Sequence, residues 1–251
     1  MDKTNIGAII LAAGKGTRMK SDLPKVLHKI NDKALAEYVI DAVYSAGIKK
    51  VCLVIGYQAD RVKENIHRDV EYAFQEEQLG TGHAVMCAKE FLDKCEDVLV
   101  LCGDTPLVTG STIKALMDYH RGRGNYVTVL SAMMKDPTGY GRIVRDKEGN
   151  FIKNVEHKDA TDEERKICEI NSGMYVFNAK ELKEGLGSLT TDNAQGEYYL
   201  PDVITAIKDK GLKVGAFSAK DPEDIFGINT VEQLEEAKKI IDTRQKNQKE
   251  E

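Results

Sequence analysis

Ile6-Gly7-Ala8-Ile9-Ile10-Leu11-Ala12-Ala13-Gly14-Lys15-Gly16-Thr17-Arg18-Met19, continuing through Leu23-Pro24-Lys25, is the stretch on which the reading of the chain turns. An apolar run from Ile6 to Ala13 stops at Gly14 and gives way to a loop carrying Lys15, Arg18, Lys20 and Lys25. This is the pattern of a buried strand delivering a cationic loop. Gly14 and Gly16 let backbone N–H groups turn inward with no side chain in the way, so the loop suits a polyphosphate. Spacing removes two familiar phosphate loops. A P-loop needs its lysine after the second glycine, whereas Lys15 lies between the two. A dinucleotide fingerprint needs a third glycine where Met19 stands, and an acidic residue where Val51 to Ile55 runs into Gly56-Tyr57.

Outward from this stretch, apolar and amphipathic runs alternate, as in a parallel sheet covered by helices. Helical spacing from Leu35 to Ala46 ends at Gly47, and Val51–Ile55 follows as a strand. A helix over 60–67, a strand over 71–75, a helix over 83–92 and a buried strand over 97–102 come next. Ser111 is the expected cap of a helix reaching about His120, and 126–133 is a strand. The rhythm then changes to short alternating segments, 142–145 and 151–156, which predict an antiparallel part. A charged insertion over 157–166, a strand over 167–177, a loop over 190–197, a helix over 200–210 and a strand over 212–217 complete the body. A helix from Val231 to about Thr243 is expected to dissolve into a polar tail, Arg244 to Glu251. The predicted fold is α/β: a Rossmann-like mixed, mainly parallel sheet flanked by helices, with a smaller antiparallel lobe.

The chain has 251 residues, enough for one substantial core, and a net charge of −5 that offers no global field for nucleic acid or an anionic membrane. Five cysteines without a C-x-x-C pair read as free thiols in a reducing cytoplasm. Lys3 before the apolar run imitates a signal peptide only loosely, because that run is short and feeds straight into the cationic loop. No run of hexapeptide repeats of the left-handed β-helix kind is present.

Leu11-Ala12-Ala13-Gly14-x-Gly16-Thr17-Arg18-Met19 followed by Leu23-Pro24-Lys25 resembles the signature of the sugar-phosphate nucleotidyltransferases. The run Gln75 to Ala84, with Gly80-Thr81, narrows the resemblance to the uridyltransferases of that family that act on N-acetylglucosamine 1-phosphate. The resemblance implies that Leu11, Ala12, Ala13, Gly14, Gly103 and Asp104 surround the nucleotide, and that Gln75, Gly80 and Thr81 contact the uracil of UTP. It implies that Arg18 stabilises departing pyrophosphate, that Lys25 grips phosphate oxygens, and that Mg²⁺ is held by Asp104 and Asn229. Gly141, Glu156, Asn171 and Asn229 would meet the amino sugar, and 193–199 would lie on the lobe closing over it.

Each role has a plainer alternative. Asp104 before Pro106 also suits a turn, and Asn229 can cap a helix with Glu232 unless Thr230 and Gln233 do so instead. His83 reads as a helix-start residue. Cys102 stands where tyrosine is common in the family and Ser172 where threonine is common. The expected domain is 1–235, with 236–251 as helix end and tail and no β-helix acetyltransferase domain, so no acetyl transfer is assigned. The implied setting is UDP-N-acetylglucosamine synthesis for cell-wall peptidoglycan. Rival readings are transfer to another hexose 1-phosphate, or a nucleotide-sugar binding module that has lost its chemistry.

Overall fold

In the computed structural model, which describes residues 5–250, the apolar run is strand β1 (Ile6–Ala12), and the loop after it tightens into 3-10 turns at Thr17–Met19 and Lys25–Leu27. A small hairpin, β2 (Lys29–Ile30) and β3 (Lys33–Ala34), leads into α1 (Leu35–Ser45), β4 (Lys50–Ile55), α2 (Ala59–Asn65) and β5 (Glu71–Phe74). Then come α3 (Thr81–Cys87), α4 (Lys89–Leu92), β6 (Asp97–Cys102), α5 (Gly110–Arg123) and β7 (Val127–Met133). The second half holds β8 (Arg142–Arg145), β9 (Phe151–Val155), α6 (Asp162–Arg165), β10 (Glu169–Asn178), α7 (Ala179–Leu186), α8 (Asp202–Asp209), β11 (Val214–Ser218) and α9 (Val231–Glu250).

Strands run in the order β11-β7-β10-β6-β1-β4-β5, with the β8–β9 hairpin attached to β10, giving a nine-stranded mixed sheet. β1 pairs in parallel with both β4 and β6, whereas β10 runs antiparallel between β6 and β7. The chain proceeds from β1 to β4 and β5 on one side, then returns to β6 on the other. That reversal opens a crevice at the carboxyl ends of β1 and β6, where open α/β sheets bind ligands. Leu11 is in register with Cys102, so the glycine loop and Asp104 emerge side by side.

Both faces of β1 are covered, which is why its sequence is continuously apolar. Ala8, Ile10 and Ala12 pack toward Val39, Ile40 and Leu116, while Ile9 packs with Phe91, Leu182 and Val203. A third cluster joins Met19, Ile30, Leu35 and Leu107 to Ala237 and Ile241 of α9. Met19, at the place a dinucleotide fingerprint would reserve for glycine, is thus a buried anchor, 2% exposed, that pins the cationic loop to the last helix.

The structure departs from the sequence reading at several ends. α3 begins at Thr81 because Gly80, at φ 106°, turns the chain into it, and the segment breaks at Ala88 before α4. Thr109, not Ser111, caps α5: its Oγ1 accepts from the Thr112 N–H at 3.2 Å. α7 has no counterpart in the sequence pattern, because Asn178 caps it directly at the end of β10 and leaves no linker to announce it. The charged stretch 157–166 contains α6, closed by a Thr161–Glu164 capping box. α9 continues to Glu250 instead of ending near Thr243, with Arg244 donating to the carbonyl of Leu107 at 2.8 Å and to Asp221 at 2.8 Å. Lys3 and Glu251 lie outside the described residues. Among those described, no helix is long and apolar enough to cross a membrane.

His120, on the inner face of α5, is 3% exposed, and its Nδ1 is 2.9 Å from Thr128 Oγ1. Burial, assisted by the charge of Arg121, pushes its pKa down to about 4. Below the ordinary histidine pKa of about 6.5 the unfolded chain binds a proton that the folded chain refuses. Stability therefore falls as pH drops from about 6.5 toward about 4, and levels off below. Urea midpoints at pH 7 and pH 4.5 should show the parent losing about 2 kcal/mol more than His120→Gln. Parallel losses would contradict this account.

Candidate active site

The loop after β1 and the chain two hundred residues later meet at one ammonium group. Lys25 forms an ion pair with Asp104, and its Nζ donates to Asn229 Oδ1 at 3.1 Å. Arg18 Nη2 donates to the same amide oxygen at 2.7 Å. Gly16 makes this approach feasible: its φ is 68°, and a Cβ there would stand 2.5 Å from Cβ of Lys25. Pro24 sets the extended entry to the turn that begins at Lys25. Asn229 is free for these contacts because Thr230 and Gln233 form the capping box: Gln233 N donates to Thr230 Oγ1 at 3.3 Å, and Gln233 Oε1 accepts from Thr230 N at 3.2 Å and Asn229 N at 2.7 Å. Lys15 stands apart, its ammonium 5.3 Å from the centroid of the Tyr57 ring.

Beside this cluster lies a cavity of about 280 Å³. One side is the end of β1 and the loop, Leu11, Ala12, Ala13 and Gly14; the other is Gln75, Gln78, Gly80 and Thr81; Lys25 and Asp104 close one end. Gly103 sits behind this wall, its N–H donating to the carbonyl of Leu11 at 2.9 Å. Gly80 has a steric role besides its positive φ, since a Cβ would lie 2.7 Å from the carbonyl oxygen of Tyr198. The segment at 197–200 can therefore rest directly on the start of α3, and Gly82 N donates to Tyr198 O at 2.8 Å.

A second cavity, about 290 Å³, adjoins the first through Leu11, Thr81, Cys102 and Glu197. Gly141, Glu156 and Asn171 line it together with Tyr140, Tyr175 and Tyr199. A bulge in β10 between Asn171 and Met174 re-aims the strand there. Asn171 is tightly held, with Nδ2 donating to Tyr175 Oη at 2.9 Å, Oδ1 accepting from Gly173 N at 2.9 Å, and its own N–H donating to Gly141 O at 2.9 Å. Glu156 Oε1 accepts from Asn154 Nδ2 at 3.1 Å. Burial raises the Tyr175 hydroxyl well above its usual pKa, and burial with the nearby Asp104 carboxylate pushes Cys102 up to about 12, so both stay protonated at neutral pH.

The structure thus brings the residues singled out from the sequence into two adjoining groups, with Asn229 in the group around Lys25 and not on the wall beside Gly141, Glu156 and Asn171. Glu197, within the 193–199 stretch, lines both cavities, whereas Tyr175 is not among the residues the sequence points to. A tyrosine within the otherwise apolar Met174 to Phe177 run was the one available signal for Tyr175. Among the described residues no cluster of three or more His, Cys, Asp or Glu side chains could hold a metal ion. The side-chain oxygens of Asp104 and Asn229 both face the Lys25 ammonium at the end of the first cavity.

The family model described as nucleotidyl transferase matches residues 7–241. The bifunctional protein GlmU of Thermoanaerobacter pseudethanolicus is 53% identical over 236 residues, covering 94% of this chain and 51% of that protein. GlmU of Clostridioides difficile is 49% identical over 240 residues, covering 96% and 52%. The chain spans about half the length of the curated relatives it matches. A crystal structure of UDP-glucose pyrophosphorylase complexed with UDP-glucose has the same fold, with a TM-score of 0.77 at 19% identity over 96% of this chain and 99% of that one. The extent of the family match, from the first strand into the last helix, shows that the chain belongs to the nucleotidyl transferase family.

Proposed function

We propose that this chain is a uridyltransferase that joins UTP and N-acetylglucosamine 1-phosphate to give UDP-N-acetylglucosamine and pyrophosphate. The observation that carries the reading is the pair of adjoining cavities with Lys25 and Asp104 at the end of the first. One offers a glycine loop and a buried amide side chain for a nucleotide; the other offers Glu156 and Asn171 for the hydroxyls and acetamido group of a sugar. The roughly 50% identity to GlmU proteins over most of the chain supports the same assignment.

An oxygen of the sugar phosphate attacks the α-phosphorus of UTP; the new P–O bond forms as the bond to the β-phosphate oxygen breaks. The nucleophile is already ionised near neutral pH, since a phosphate monoester loses its second proton at a pKa of about 6. No general base is needed. What the residues supply is alignment and charge neutralisation: Lys25 and the loop amides hold phosphate oxygens, and Arg18 faces the departing pyrophosphate.

Mg²⁺ fits this donor set. Asp104 and Asn229 already direct a carboxylate and an amide oxygen at one cation, the Lys25 ammonium. A hard divalent ion is commonly held by one or two such oxygens plus substrate phosphates. When bound, it would neutralise charge on the triphosphate. The setting we assign is the cytoplasm, in keeping with five free cysteines. Nucleic acid and membranes are not among the partners we assign.

Pyrophosphate release with UTP and Mg²⁺ should favour N-acetylglucosamine 1-phosphate over glucose 1-phosphate and N-acetylgalactosamine 1-phosphate by about tenfold or more in kcat/KM. Preference for another acceptor would move the substrate, and no turnover with any would contradict the reading. Lys25→Met should lower kcat/KM by about 100-fold; an unchanged value would remove Lys25 from the proposed chemistry.

A further inference from the structure

Gln75 follows the end of β5, is 3% exposed, and forms part of the wall of the first cavity. Its Nε2 lies 3.2 Å from the carbonyl oxygen of Gly80 and 3.1 Å from Nδ1 of His83. A backbone carbonyl can only accept, so the atom facing it is the amide NH₂. The other hydrogen of that NH₂ goes to His83. The imidazole Nδ1 must therefore accept, which puts the ring proton on Nε2.

Two acceptors on one NH₂ fix the plane of the amide as well as its direction. Both donors of Gln75 are used within the protein, and among the described residues no donor reaches its Oε1, the remaining polar atom of a side chain that lines the cavity. The wall thus presents a held acceptor. His83 is itself steadied in the first turn of α3, with the Tyr198 ring 6.3 Å away between centroids, and the neighbouring Gly82 N–H is bonded to Tyr198 O.

A buried acceptor discriminates by what faces it, because a lone pair set against another lone pair leaves both unpaired. Uracil offers a ring N3–H; cytosine has an unprotonated N3 at the same place. We infer that His83 is a specificity-determining positioning residue: by accepting from Gln75 it holds the amide with Oε1 toward the cavity, so that a pyrimidine triphosphate with a ring N–H is admitted and one with a ring acceptor is refused. The inference rests on the proposed uridyl transfer and adds the residue that enforces its base choice. Without His83 the amide keeps one bond, to Gly80, and swings about it.

The test compares UTP with CTP in the parent, His83→Leu and His83→Asn, with N-acetylglucosamine 1-phosphate as acceptor. In His83→Leu, KM for UTP should rise and the UTP-to-CTP ratio of kcat/KM should fall, each by about tenfold, with KM for the sugar phosphate unchanged. His83→Asn places an amide oxygen close to the lost Nδ1 and should recover the ratio to within about threefold of the parent. An unchanged ratio in His83→Leu, or equal rises in KM for both substrates, would overturn the inference while leaving uridyl transfer standing. A parent that turns over but does not prefer UTP would remove the uridyl reading and the inference with it. Should His83→Leu fail to fold, long-range ¹H–¹⁵N spectra of the parent decide: a proton on Nε2 of His83 is expected, and one on Nδ1 would overturn the assignment.

Discussion

Lys25, Asp104 and Asn229 are separated by 79 and 204 positions along the chain, yet a single ammonium group draws them together. The Lys25 and Asp104 side chains are only 16% and 19% exposed, so neither charge is fully solvated. Removing one partner would leave the other poorly compensated, which is costlier than the loss of a surface pair. The rest of the site depends on this cluster. It requires the loop to fold back after Gly16, β6 to lie beside β1, and the segment before α9 to return to the same edge. Met19 secures the first of these by burying its side chain with α9, coupling the loop to the last helix through packing and not through charge.

The sheet does the remaining positioning. Because β6 returns to the opposite side of β1 from β4, the carboxyl ends of β1 and β6 open a crevice between them, and Leu11 and Cys102 form a floor common to both cavities. The antiparallel β10, inserted beside β6, carries the bulge that turns Asn171 toward the second cavity. Nucleotide and sugar phosphate would then meet over one stretch of sheet, which is what a direct displacement between two anions requires. The contact between Gly80 and the 197–200 segment joins the two cavities on their other side. A shift of either wall would be felt in both.

Much of this was legible in the sequence. The strand-to-loop transition at Gly14 is a local event written in consecutive residues, and the alternation of apolar and amphipathic runs conveyed the mainly parallel sheet with an antiparallel addition. Three features were not legible. α7 is an eight-residue helix containing Gly185 and follows β10 without a linker, so neither length nor punctuation marks it. α9 outruns its apolar pattern because Gln, Lys and Glu are good helix formers, and because Arg244 is anchored by Leu107 and Asp221, which are remote in sequence. The sharing of the Gln75 amide between Gly80 and His83 depends on side-chain direction across a turn, which periodicity does not encode. The Asn229 ambiguity was visible in advance, and Thr230 with Gln233 resolves it by taking the capping role.

The measurement that bears most directly on the central claim is Mn²⁺ binding followed by electron paramagnetic resonance, with and without UTP, in the parent and in Asp104→Ala. The account predicts a site in the parent that tightens when UTP contributes its phosphate oxygens, and an affinity lower by about tenfold or more in Asp104→Ala. Equal binding by both proteins in the presence of UTP would contradict it and would return Asp104 to a purely structural role as the partner of Lys25.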